Sequence, residues 1–184
     1  MIVALVAAAL ADPLALRAPG SDRAPDAAAW SVVASGGSLS AGAWLPTSNL
    51  GFALEGDVAG GPVGPSVAYR TRFRTKTDFG VDLVGAAGLL VPLVDPGAVV
   101  ALTPSATVGW RGRVGDATLG LVTPMAIRVA PDPAFSVPIR LEPWFGVHAG
   151  PVTVGAGAAA AFVVTPGTLW AVDLRWMLSV SART

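Results

Sequence analysis

A chain of 184 residues with no formal net charge, 53% hydrophobic residues and only 13% charged ones is too apolar for a disordered polymer and signals no polyelectrolyte partner. Its length suits one domain around a single core. The absence of cysteine excludes disulfides, thiolate metal sites and cysteine nucleophiles.

Residues 1–11, MIVALVAAALA, form an apolar run that ends in the small-x-small pattern Ala9-Leu10-Ala11 ahead of Asp12-Pro13. That pattern predicts a secretory signal peptide, although no basic residue precedes the run. Residues 12–29 mix Pro, Asp and Ala without a period and predict a flexible leader. The organised domain is expected over 30–184.

From Trp30 onward the dominant period is two, the period of a strand with one apolar face. Leu50, Phe52 and Leu54 alternate with Glu55 and Asp57. In residues 66–77, SVAYRTRFRTKT, the cations Arg70, Arg72, Arg74 and Lys76 fall on one face, while Val67, Tyr69, Thr71 and Phe73 fall on the other. A helix would scatter those cations around its circumference. Further along, Phe79, Val81 and Leu83 oppose Asp82, and Val108 and Trp110 oppose Arg111 and Arg113. Next, Ile127 opposes Arg128, and Ile139, Leu141 and Phe145 oppose Arg140 and Glu142. The last segment sets Trp170, Leu174, Trp176 and Leu178 against Asp173 and Arg175, whereas residues 152–164 are mostly Gly and Ala and carry the pattern weakly. Turn signals at Gly36-Gly37, 46–49, 59–65, 77–78, 92–97, 114–117, 130–134, 150–151 and 165–167 divide the domain into about ten antiparallel strands.

A soluble sheet protein buries its apolar faces, whereas an outer-membrane barrel turns them to lipid and its charges inward. Low charge and apolar strands of roughly 9 to 14 residues favour the second arrangement. The reading is therefore all-β: a closed antiparallel up-and-down transmembrane β-barrel of about ten strands, with eight as the alternative. Membrane helices are the rival over residues 143–172, which hold no Asp, Glu, Lys or Arg, but Gly150-Pro151 and Pro166-Gly167 interrupt that stretch. Counting strands back from a periplasmic C-terminus puts Phe52, Phe73, Phe79, Trp110, Phe145 and Trp176 in one interfacial girdle. Phe162 and Trp170 sketch a second.

With these residues the chain resembles the small bacterial outer-membrane β-barrel proteins, over residues 30–181 and in architecture alone. The resemblance implies a Gram-negative outer membrane as the location and the lipid bilayer as the partner. The chain departs from the pattern by lacking a terminal phenylalanine, and by carrying Pro104, Pro124, Pro138 and Pro143 inside strands, where bulges are expected.

On this reading Glu55, Asp57, Arg70, Arg72, Arg74, Lys76, Asp82, Arg111, Arg113, Arg128, Arg140, Glu142, Asp173 and Arg175 line the lumen, nine cations against five anions. The mildly basic lining predicts either an occluded polar network with a structural or scaffold role, or a small porin-like pore that leans toward anions. The alternatives are a soluble secreted β-barrel or β-sandwich binding module and an outer-membrane lipid-modifying enzyme. No catalytic residue is assigned: the one histidine, His148, lies six residues from Glu142 on the same strand face. No metal, cofactor or nucleic-acid site is expected. Ala156, Ala158 and Ala160 offer a smooth outward face for another membrane protein.

Overall fold

Alternating apolar and polar residues give each strand one apolar and one polar face, and the chain closes on itself with the polar faces inward. The structure, a computed structural model, describes residues 13–21, 28–57, 63–75, 77–91, 97–129, 134–165 and 168–183. The expected signal peptide, 1–11, and Lys76 lie outside the described residues.

Twelve strands make up ten walls. They are β1 (Ala29–Ser35), β2 (Ser38–Trp44), β3 (Leu50–Asp57), β4 (Val63–Arg74), β5 (Phe79–Leu90), β6 (Val99–Arg111), β7 (Gly115–Val122), β8 (Met125–Arg128), β9 (Ala134–Ser136), β10 (Pro138–Ala149), β11 (Val152–Thr165) and β12 (Thr168–Arg183). Each wall pairs antiparallel with the walls before and after it, and the β1–β12 ladder, from Ala29↔Arg183 to Ser35↔Met177, closes the barrel. Strands β7 and β8 form one wall against β6, and β9 and β10 form the next. The fold is therefore an all-β, closed, ten-stranded antiparallel barrel. Gly36 and Gly37, at φ 48° and 100°, make the two-residue hairpin that divides β1 from β2, so that they count as two of the ten walls.

The prolines are not bulges. Pro104 holds its place opposite Gly85, and Pro143 opposite Leu119. The breaks at Thr123-Pro124 and Val137-Pro138 interrupt two walls while the pairing resumes beyond them in the same register. A missing N–H opens a gap in a ladder without adding a residue to it, so neighbouring strands keep their phase. The one described slip lies between Val163 and Thr165, on the β11–β12 pair.

Large apolar side chains are exposed on every wall, from Trp30 and Val32 on β1 through Leu83 on β5 to Trp176 and Leu178 on β12. Their neighbours in sequence point inward and are buried: Ser31, Ser40, Glu55, Arg70, Asp82, Thr107, Arg140, Glu142, Thr153 and Ser179 among them. Both termini of the barrel, Ala29 and Arg183, lie at one end, together with the connections β2–β3, β4–β5, β6–β7 and β10–β11.

The segment expected to be a loose leader is the main correction. Residues 13–21 are buried inside the barrel, with a 3-10 turn over Leu14–Arg17. Aperiodic Pro-rich sequence is a poor strand or helix former, but a barrel interior lined with polar groups can satisfy such a backbone through side chains. Around it lie two apolar clusters: Leu14, Ala15 and Ala18 with Val33, Trp144, Ala159 and Met177, and Leu16 with Trp44, Ala53, Ala68, Val84 and Ala86.

Candidate functional site in the lumen

The inward faces of β4 to β7, β10 and β11 carry three polar groups, the first and third of which grip the inserted segment. In the first, Arg17 grips Glu142 through two contacts, Nε to Oε2 at 3.2 Å and Nη2 to Oε1 at 3.1 Å. Arg140 Nε stands 2.9 Å from the same Oε1, so one buried carboxylate lies between two guanidinium groups. Burial of such a group is tolerable only when its charge is matched and its lone pairs are used.

In the second group, Asp82 is shared by Arg72 Nε at 3.2 Å and Arg111 Nη2 at 3.0 Å. Register explains this, since Arg72 lies directly opposite Asp82 across β4–β5, while Arg111 approaches from the start of the β6–β7 turn. Arg70, two residues back on the same face, instead stacks 4.0 Å from the centroid of the Trp44 ring. Glu55 accepts a hydrogen bond from Ser66 Oγ at 2.9 Å.

The third group contains the histidine. His148 Nε2 lies 3.1 Å from Asp116 Oδ1 and Nδ1 lies 2.8 Å from Thr153 Oγ1, while Asp116 Oδ2 accepts the Gly20 N–H at 3.1 Å. The order hydroxyl, imidazole, carboxylate is that of hydrolytic triads. A Cβ on Gly20 would collide with the Thr153 hydroxyl, so the inserted chain lies directly against this trio. The arrangement holds the segment in place.

Of the residues expected to line the lumen, Glu55, Arg70, Asp82, Arg111, Arg140 and Glu142 are inward and buried, and Arg72 and Arg175 are half-buried. Arg74 is exposed at the barrel mouth, and Arg113 is exposed in the β6–β7 turn, outside the lumen. Asp57, Arg128 and Asp173 belong to β3, β8 and β12, but their side chains lie outside the described set, as does that of Trp170. Phe52, Phe73, Phe79, Trp110, Phe145 and Trp176 are all exposed on the outer face, with Phe79 directly opposite Trp110. Phe162 is half-buried, and Ala156, Ala158 and Ala160 share the outer face of β11.

Sequence reasoning missed Arg17, Asp116 and the inward Trp44, whereas Trp144 shares the face of Glu142 and His148 as its parity dictates. Asp116 was hidden in a turn signal, although its register partner Arg111 placed it one step inside the barrel. Trp44 and Trp144 face inward, where they wall the inserted segment. Once Asp116 and Arg17 are included, the buried charges described are four cations, Arg17, Arg70, Arg111 and Arg140, against four anions, Glu55, Asp82, Asp116 and Glu142. Among the described residues no three of His, Asp and Glu gather as a metal site, and no helix is long and apolar enough to cross a membrane. No protein-family model matches the chain, and comparison with curated proteins and with solved structures gave no match.

Proposed function

We propose that this is an outer-membrane barrel whose lumen is closed at rest by its own N-terminal segment and whose role in the bilayer is structural, as a scaffold. The carrying observation is the sign of the two faces: Phe73, Leu83, Leu102, Trp110, Leu121 and Trp176 are exposed outside while Arg70, Asp82, Arg140 and Glu142 are buried inside. A soluble protein rarely shows an apolar surface that runs around its whole girth, and hydrocarbon is the solvent in which that surface is at rest. The aromatic ring residues Phe52, Phe79 and Trp110 near the end that carries the termini suit one bilayer interface, and Ala156, Ala158 and Ala160 suit close approach by another membrane protein.

Refolding into detergent and electrophoresis without boiling tests this reading. The folded barrel is expected to migrate apart from its boiled form and to float with lipid vesicles; a chain that stays monomeric in detergent-free buffer sinks it. A second reading, a small pore leaning toward anions, draws on the cleft beside the inserted segment, where Arg17, Arg70 and Arg111 outnumber Asp82 and Asp116. Planar-bilayer recording separates the two, since a scaffold is silent and a pore gives discrete steps with an anion-sided reversal potential.

A further inference from the structure

Residues 13–21 sit in the lumen as a bound peptide sits in its receptor. Side chains of the wall take the main-chain groups of the segment: Ser40 Oγ accepts from Ala15 N–H at 3.2 Å, Ser31 Oγ donates to the Ala15 carbonyl, Trp44 Nε1 donates to the Leu16 carbonyl at 3.0 Å, and Asp116 Oδ2 accepts from Gly20 N–H. These contacts ask only for a backbone of that path. Specificity comes from the side chains, with Leu14 and Leu16 in the two apolar clusters and Arg17 on Glu142. Main-chain bonds for affinity and side-chain pockets for selection are the logic of peptide recognition.

The wall is also shaped for a guest. A Cβ on Gly42 would come within 2.9 Å of Leu16 Cδ2, and one on Gly155 within 2.9 Å of Pro19 Cγ. The ten-walled ladder closes through β1 and β12 without any strand pairing to residues 13–21, whose own backbone bonds, Leu16 N–H to Pro13 and Ser21 N–H to Ala18, are internal. The segment can therefore leave without breaking a ladder.

We propose that the lumen is a binding site for a short peptide of Leu-x-Leu-Arg chemistry held in a 3-10 turn, occupied at rest by residues 13–21 as a tethered and exchangeable ligand. Release of that ligand opens the lumen. This second consequence rests on the membrane-spanning reading above, whereas peptide binding in micelles does not.

The test uses the full chain carrying Arg17→Glu, which sets two carboxylates against each other at Glu142, with folding checked by the heat-dependent gel shift. The probe is a fluorescent synthetic peptide of residues 13–21. It is expected to bind the variant at least tenfold more tightly than the wild type, whose site is filled, and the same peptide with glutamate in place of its arginine is expected not to bind. In bilayers the variant is expected to open at least tenfold more often, and the peptide to close it. A folded variant that binds the peptide no better than the wild type overturns the proposal. If Arg17→Glu does not fold, Leu16→Ala, which trims the tethered segment's own anchor beside Trp44 and leaves the wall intact, takes its place with a smaller gain expected, and no gain is equally fatal. Peptide binding without conductance upholds the site and removes the pore reading; conductance that the peptide cannot close, with no binding in micelles, overturns the site.

Discussion

Glu142 is the residue on which the interior turns. Its two oxygens receive Arg17 from the inserted segment and Arg140 from its own strand, and its side chain is 1% exposed. Removing one member of such a buried set leaves a charge without its partner, at a cost of about 3–5 kcal/mol. We expect Glu142→Ala to lower the stability of the refolded barrel by that amount in urea titrations, while Arg74→Ala, at the exposed mouth, changes it by less than ~0.5 kcal/mol. Equal effects of the two would refute this ranking. At this scale the parity of Arg70, Arg72, Asp82 and Arg111 was legible, because a period of two decides which face a side chain takes. The partners were not, because Arg17 reaches Glu142 by folding back into the lumen and Asp116 reaches His148 across the β7–β10 pairing, neither of which local spacing shows.

Strand β11 shows how the element scale resolves a weak signal. Its pattern fades over residues 152–164 because the inward positions Gly155 and Gly157 carry no side chain at all, and the space they leave holds Pro19 and the ring of Trp144. Sequence periodicity registers contrast between faces, so a face that is small in order to admit a guest reads as noise. The same cause hid the inserted segment, whose residues 13–21 have no period of their own and take their shape from Ser31, Ser40, Trp44 and Asp116. Replacement of Gly155 by leucine would drive a side chain into Pro19 and Ser179. The expected outcome is a barrel that keeps its gel shift while the Arg17–Ala18 bond becomes open to trypsin; a Gly155→Leu barrel as resistant there as the wild type would contradict the packing. The prolines teach the complementary lesson. Each was visible as a lost donor, but only the register across β6, β7 and β8 shows that a lost donor need not shift the strands.

At the scale of the whole molecule, closure pairs the β1 edge with the β12 edge and leaves, among the described residues, an apolar surface around the outside. Strand number and the two faces were legible because both follow from local alternation and turn spacing. The filled lumen was not, because it depends on which segment fits the space the walls enclose. If hydrocarbon surrounds the barrel, Leu102→Arg, on the outer face of β6, lowers the stability of the membrane-inserted state by about 2–4 kcal/mol, read from urea-dependent refolding into vesicles. No change on that substitution would be incompatible with a lipid-facing β6.

The cysteine-free chain allows the most direct test, a scan of single spin-labelled cysteines along residues 81–87 of β5 in lipid vesicles. The account predicts that labels at 83, 85 and 87 collide freely with oxygen dissolved in the bilayer and hardly with an aqueous nickel reagent, while labels at 82, 84 and 86 are shielded from both. Free access of the nickel reagent to 83, 85 and 87 would contradict it.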